Sequence, residues 1–263
     1  MENIYCIAEV CLCLKENGGL SKAVWRKFWV PEGVVNARIE IASLDEGVFY
    51  GVENYKTENV SVVFRDGGDV MLVSADWRSA TILPLEDYSH LQAFLIQLFW
   101  AHAVKKRMIQ THSALIDFEG RGLLFLGPSG IGKTTQAELW AKYRNALIIN
   151  GDIVFVQETK ECFLGWGTPW HGSSPYCENA SVPVHAMVVL KQAEENSIRE
   201  LTGFEKVSEV SNSIFYPQWL ENGMELCLET LDHLLREIPV YELSCRPDEA
   251  AVELTEQTIF YRK

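Results

Sequence analysis

The sequence predicts an α/β fold in which a β-rich N-terminal portion precedes a domain built around a glycine-rich loop. From Ile4 to Leu83, short apolar runs alternate with Gly, Asn and Asp, a pattern typical of antiparallel strands. Further along, the apolar run Gly122–Leu126 leads into GPSGIGKTTQ, and helix formers follow from Gln136 to Tyr143. We therefore predict a β-rich region over 1–87 and a second domain over 88–263.

The composition and the net charge disfavour two classes of binding partner. The 263 residues are 48% hydrophobic and carry a net charge of -13, which disfavours binding to nucleic acid or to an anionic membrane. The longest apolar stretch, LQAFLIQLFWAHAV from Leu91, is too short and too polar to span a bilayer, and no N-terminal signal segment is visible. We expect a cytoplasmic protein. Seven cysteines without a Cys-x-x-Cys pair disfavour a disulfide framework or a zinc site, and Cys11 and Cys13 fit one strand.

Local signals predict further elements along the chain. Two hairpins are indicated by glycine-containing turns, and two helices by apolar residues at helical spacing. The second hairpin leads into the glycine-rich loop and places His112 at the start of its first strand. The predicted elements are a hairpin turning at Asp66–Asp69, a helix over Tyr88–Arg107, a hairpin turning at Glu119–Gly122, a helix over Trp219–Ile238 and a strand at Pro239–Ser244.

The glycine-rich loop has the spacing of a P-loop, Gly127-x-x-x-x-Gly132-Lys133-Thr134. In a P-loop, backbone N–H groups face phosphate, the lysine neutralises phosphate oxygens and the Thr hydroxyl holds Mg²⁺. The alternative is a structural glycine-rich turn between a strand and a helix. The sequence thus predicts a site for ATP and Mg²⁺, with nucleotide contacts from Gly127, Ser129, Gly130, Ile131, Gly132, Lys133, Thr134 and Thr135.

A second acidic ligand for the metal is expected near the loop. Asp152 ends the run ALIINGD and follows Thr134 by 18 residues, enough for one helix and a returning strand. We therefore predict that Thr134 and Asp152 hold Mg²⁺. An aspartate at a strand end can also simply begin a turn.

The run from His112 to Val156 resembles the catalytic domain of the HPr kinase/phosphorylases, which share a fold with the ATP-dependent phosphoenolpyruvate carboxykinases. The resemblance rests on a histidine before the P-loop hairpin, on the loop itself and on INGD after the next strand. It extends to HPr-kinase-like proteins of ribosomal peptide maturation pathways through GWGTPWHG, VPVHAMVVLKQAEENSI and IPVYELSCRPDEAAV. It covers about Tyr88 to Val252 and is strongest from His112 to Ile198.

The resemblance implies roles for individual residues. It places His112 near the transferred phosphate and makes Asp152 the metal-binding member of an aspartate pair. The other member, which acts on the acceptor hydroxyl in HPr kinases, falls on Gly151, so the sequence departs from the family at that position. The catalytic candidates are therefore His112, Lys133, Asp152 and His171.

His171 enters this set because it is the only titratable side chain of the loop GWGTPWHGSS. This loop either closes over the phosphates or holds an acceptor peptide, or its tryptophans belong to the core while His171 faces solvent. The remaining histidines have structural explanations: His90, His102 and His233 fall on predicted helices, and His185 falls in an apolar strand.

Two functional hypotheses follow. The first is an ATP-dependent kinase that phosphorylates a Ser or Thr hydroxyl of a peptide or small protein, with positioning and charge neutralisation supplying most of the catalysis. The second is a nucleotide-binding regulatory or assembly module with little or no kinase activity, which explains Gly151 directly. The sequence leaves the oligomeric state open. Transporter-type ATPases are disfavoured because no Leu-Ser-Gly-Gly-Gln-like signature is present.

Overall fold

The computed structural model of the chain describes residues 2–15, 23–41, 60–66, 69–83 and 88–261. The chain divides into two compact units, Met1–Ala103 and Val104–Lys263. The division falls later than the predicted boundary between residues 87 and 88. The reason is that the helix Tyr88–Ala103 contacts strands of the N-terminal unit, although the sequence analysis assigns it to the second domain.

The described part of the N-terminal unit is a sheet with two helices, and the apolar alternation predicts its strands. Its strands lie in the order β3-β1-β2-β4-β7-β6-β5. The β2–β4 and β4–β7 pairs are parallel, so the prediction of purely antiparallel strands was wrong for these two pairs. The elements are β1 Glu2–Ile7, β2 Val10–Lys15, α1 Ala23–Arg26, β3 Trp29–Val30, β4 Val35–Ile41, β5 Val60–Asp66, β6 Asp69–Ser74, β7 Ser79–Leu83 and α2 Tyr88–Ala103.

Two sequence predictions in this unit concern hairpins and cysteines. Strands β5 and β6 pair antiparallel with Asp66 opposite Asp69, while the predicted Gly-Gly turn between them lies outside the described residues. Cys11 and Cys13 lie in β2, as predicted. A disulfide joins Cys6 to Cys11, contrary to the expectation from cysteine spacing, because the β1–β2 register places these two residues directly opposite each other.

The second unit is a sheet with four helices and a 3₁₀ turn, Val104–Lys106, within its described residues. Its strands were only partly predicted, and the hairpin before the P-loop turns at Glu119 and Gly120, so its second strand begins at Arg121 within the predicted turn. The elements are β8 Met108–Phe118, β9 Arg121–Leu126, α3 Lys133–Arg144, β10 Leu147–Asn150, β11 Ile153–Glu158, β12 Phe163–Trp166, β13 Ser181–Gln192, β14 Ser197–Leu201, α4 Gly203–Ser211, β15 Ile214–Phe215, α5 Gly223–Glu237, β16 Val240–Cys245 and α6 Glu249–Phe260.

Several element bounds differ from prediction for identifiable backbone reasons. Helix α2 ends at Ala103 rather than Arg107, whose φ of 61° lies in the left-handed region. Helix α5 begins at Gly223 rather than near Trp219, since Asn222 is a left-handed N-cap with φ 58°. Strand β8 begins at Met108, which puts His112 inside the strand and not at its start.

The long strands β8 and β13 each change neighbours along their length. The first half of β8 pairs with β11 and the second half with β9. Likewise, β13 pairs first with β12 and then, in parallel, with β9 and β16. Strand β9, which delivers the chain to the P-loop, therefore lies between β8 and β13.

The core of this unit lies where α3 and α6 pack on the sheet. Trp140 of α3 is fully buried, and its ring meets Phe118 and Phe260 at centroid distances of 5.2 and 6.1 Å. This contact fixes α3, and with it the P-loop, against strands β8 and β9. Within the described residues, no helix has the length and apolar character needed to cross a membrane.

Candidate functional site

The site forms where β8 exchanges one partner strand for another. His112 is opposite Ile153 of β11, whereas the next residue, Ser113, is opposite Leu126 at the end of β9. The backbone N–H of Ser113 donates to the carbonyl oxygen of Asp152 at 2.9 Å. The change of partner thus brings His112 and Asp152 to the strand end from which the P-loop leaves.

The P-loop connects β9 to α3 through three glycines with left-handed backbone angles. Gly127, Gly130 and Gly132 have φ values of 136°, 78° and 116°, which strain any residue with a Cβ. Helix α3 begins at Lys133, and its first backbone bond runs from the N–H of Gln136 to the carbonyl of Gly132 at 2.9 Å. The free N–H groups of this first turn and the helix dipole favour an anion here.

Backbone carbonyl groups of the P-loop hold the side chain of Lys133. Its side chain is buried, with 6% of the residue exposed, and its ammonium donates to the carbonyl oxygens of Gly127 at 2.9 Å and Pro128 at 3.2 Å. Burial lowers the pKa of Lys133, and the nearby Asp152 carboxylate partly offsets the shift. A desolvated ammonium of this kind gains strongly from an anionic ligand.

The turn that carries Asp152 is shaped by the buried Asn150. The Asn150 side-chain oxygen accepts from the N–H groups of Asp152 at 2.8 Å and Ile153 at 3.1 Å. Beside this turn, the Thr134 hydroxyl donates to the carbonyl oxygen of Gly151 at 3.3 Å. Asp152 therefore lies next to the first turn of α3, where the sequence analysis placed it.

His112 and Asp152 form a contact pair beside Lys133. The Nε2 atom of His112 lies 3.1 Å from Oδ1 of Asp152, and both side chains are about three-quarters buried, with exposures of 26% and 29%. Burial lowers the pKa of His112, and the Lys133 charge lowers it further, while Asp152 acts in the opposite direction. The lowered pKa favours the neutral imidazole, which can accept a proton.

The loop 165–174 packs against the Asp152 turn. The Asn150 amide donates to the carbonyl oxygen of Thr168 at 2.9 Å, and a Cβ on Gly172 would lie 2.4 Å from Oδ2 of Asp152. Trp170 is buried and Trp166 half-buried, so these tryptophans belong mainly to the structure of the loop. The half-buried His171 has its Nδ1 against the carbonyl oxygen of Ser174.

A pocket of about 240 Å³ lies at the P-loop and gathers most of the predicted site residues. Gly127 and Ile131 are not among its lining residues, and neither is His171. Ser173, Ser174 and Gly151 also line it, although the sequence analysis assigned no role to the serines, which carry no motif. The predicted residues that line the pocket are His112, Ser129, Gly130, Gly132, Lys133, Thr134, Thr135 and Asp152.

A second pocket, of about 360 Å³, continues along the other side of the P-loop. It shares Gly130, Gly132 and Thr135 with the first pocket, and Ile131 lines it. Its far wall comes from the ends of β13 and β16 together with Arg246 and Pro247. Sequence reasoning missed this wall because its residues lie more than fifty positions from the P-loop in the chain and carry no motif.

The residues at the first pocket fit a magnesium–phosphate group. Thr134 supplies a hydroxyl and Asp152 a carboxylate, the hard oxygen ligands that Mg²⁺ uses when phosphates complete its coordination. No group of three or more His, Cys, Asp or Glu side chains suited to a metal occurs within the described residues. The hydroxyl and carboxylate at this pocket are oxygen donors of the kind that Mg²⁺ takes.

Comparison with known proteins finds a likeness among solved structures. No protein-family model matches the chain, and no curated protein sequence matches it. Among solved structures, it is similar to the Hpr(Ser) kinase/phosphatase from Coxiella burnetii, with 11% identity, a TM-score of 0.34, and coverage of 57% of this chain and 95% of that one.

Proposed function

We propose that this protein is an ATP-dependent kinase that transfers the terminal phosphoryl group to a Ser or Thr hydroxyl of a peptide or small protein. The observation that carries the proposal is the meeting of Lys133, Thr134 and Asp152 in one pocket at the N-terminus of α3. Cation, hydroxyl, carboxylate and helix dipole together are what a nucleoside triphosphate with its magnesium ion requires.

The residues divide the work of binding between them. Lys133 and the P-loop N–H groups hold phosphate oxygens, and Thr134 and Asp152 would hold Mg²⁺. When bound, the ion neutralises charge on the transferring phosphate. The second pocket supports a nucleoside position because it joins the first along Gly130, Gly132 and Thr135.

His112 is the candidate for accepting the proton of the attacking hydroxyl. It lines the pocket at the P-loop, and its lowered pKa favours the neutral ring. Asp152 holds the ring through Nε2 at 3.1 Å, so the tautomer that donates from Nε2 has Nδ1 as its accepting nitrogen. Phe215, 40% exposed and 6.3 Å from the His112 ring, offers an apolar contact to the acceptor.

One observation favours the second candidate, a nucleotide-binding regulatory module. Gly151 lines the phosphate pocket at the position that is an aspartate in the family the sequence resembles, and it brings no group that can take a proton. The two candidates share the nucleotide site and differ in whether a phosphoryl group leaves it.

Phosphoryl transfer to peptides separates the two candidates. The protein is incubated with Mg²⁺, γ-labelled ATP and a library of serine-containing peptides, and label in phosphoserine is identified by mass spectrometry. If the protein is a kinase, His112→Ala is expected to lower the rate of phosphoryl transfer by about a hundredfold or more, which is the usual contribution of a general base. Serine-to-alanine peptides are the matched control. Tight ATP binding with no transfer to any hydroxyl would leave only the regulatory module.

A further inference from the structure

A neighbouring side chain, and not the backbone conformation, explains why residue 151 is a glycine. Its φ is not in the left-handed region, so an L side chain suits the local conformation. A Cβ built there would nevertheless lie 1.9 Å from Oγ and 2.6 Å from Cβ of Ser174. The side chain of Ser174 therefore occupies the space that a side chain on residue 151 would need.

Ser174 is held in this position by its own loop. It is buried, with 7% of the residue exposed, and its backbone N–H donates to the carbonyl oxygen of His171 at 3.0 Å. Its hydroxyl oxygen accepts from the N–H of Tyr176 at 3.3 Å. Accepting from Tyr176 leaves the hydroxyl proton for donation to another group.

The hydroxyl lies beside the groups that would bind phosphate and metal. Ser174 lines the same pocket as Lys133 and Asp152. The Thr134 hydroxyl oxygen lies 3.7 Å from the same point, the Cβ position of residue 151, that Ser174 fills. Two hydroxyls, from α3 and from the loop 165–174, thus lie beside Gly151 in the same pocket.

We infer that Ser174 is a nucleotide-binding residue whose hydroxyl donates to the terminal phosphoryl group of the magnesium–nucleotide complex. This inference rests on the proposed function, because it requires the nucleotide to occupy the P-loop pocket. Ser174 supplies a neutral donor at the place where Gly151 has no side chain, so the loop 165–174 completes the phosphate site. Ser208 of α4, an exposed serine that lines neither pocket, serves as the matched control.

The test is the affinity of the full-length protein for Mg-ATP and Mg-ADP, measured by calorimetry. Ser174→Ala is expected to weaken Mg-ATP binding about tenfold, the loss of one hydrogen bond to a charged group. Mg-ADP binding, which lacks the terminal phosphoryl group, is expected to change less than about twofold. Ser208→Ala is expected to leave both affinities at the wild-type level. Ser174→Cys, which keeps a side chain in place with a weaker donor, repeats the test if Ser174→Ala folds poorly.

Each outcome decides a separate question. Wild-type protein that binds no Mg-ATP overturns both the proposed function and the role of Ser174. Wild-type binding with Ser174 variants that match Ser208→Ala overturns the role of Ser174 alone. Equal losses for Mg-ATP and Mg-ADP also overturn it, since they would show that Ser174 only shapes the loop.

Discussion

Gly151→Ala tests the close packing of Gly151 against Ser174, two residues that line the pocket at the P-loop. The added methyl would meet Ser174 Oγ at 1.9 Å and Ser174 Cβ at 2.6 Å, both far inside van der Waals contact. Overpacking a buried position usually lowers the free energy of unfolding by about 1–3 kcal/mol. We expect a loss near the upper value, because both contacts are very short and the Ser174 side chain is short and anchored. A loss of about 3 kcal/mol lowers Tm by about 6–12 °C in a domain of this size.

The assay is thermal unfolding of Gly151→Ala, Ser174→Gly and the double variant. Removing the Ser174 side chain empties the space, so the double variant is expected to recover most of the loss caused by Gly151→Ala. Gly120→Ala is the control, because Gly120 has φ 77° and no neighbour within 4 Å, and its strain has nothing to do with Ser174. Wild-type stability in Gly151→Ala, or no recovery in the double variant, would refute the reasoning.

Two further predictions concern the turn that carries Asp152. Asp152→Asn is expected to weaken ATP binding about tenfold or more with Mg²⁺, and to change it little in EDTA, because an amide is a poorer Mg²⁺ ligand than a carboxylate; equal losses in calorimetric titrations with and without Mg²⁺ would contradict the metal role. Asn150→Ala removes the acceptor of two backbone N–H groups and is expected to cost about 2–3 kcal/mol in urea unfolding. The control for Asn150→Ala is Asn212→Ala, at an exposed position. Similar losses of unfolding free energy in the two variants would contradict the role of Asn150 in holding the turn.

The parts of the site that local sequence determines could be predicted. The spacing of Gly127, Gly132 and Lys133 is a property of one short loop, and the strand before it and the helix after it are where the flanking residues indicated. The neighbourhood of Thr134 and Asp152 followed from a short helix and a returning strand, and the structure has both.

The remaining parts depend on contacts that sequence spacing does not encode. Ser174 reaches Gly151 because Asn150 ties the turn to Thr168, a tertiary contact without a motif. Apolar alternation in the N-terminal strands indicates burial but not the direction of the partner strand, so the parallel pairs were missed. His171 was selected for its chemistry, yet the structure turns its ring to the carbonyl of Ser174.

Mg-ATP binding by wild type and Lys133→Met tests the nucleotide site most directly. Lys133 is buried with its charge desolvated, so methionine is expected to leave Tm unchanged or slightly higher while removing the cation that faces phosphate. A hydrogen bond between charged groups is worth about 1.5–3 kcal/mol, which predicts a Kd for Mg-ATP about 10- to 150-fold weaker than that of wild type. Wild-type affinity in folded Lys133→Met, or no measurable binding by the wild-type protein, would contradict the nucleotide site at the P-loop.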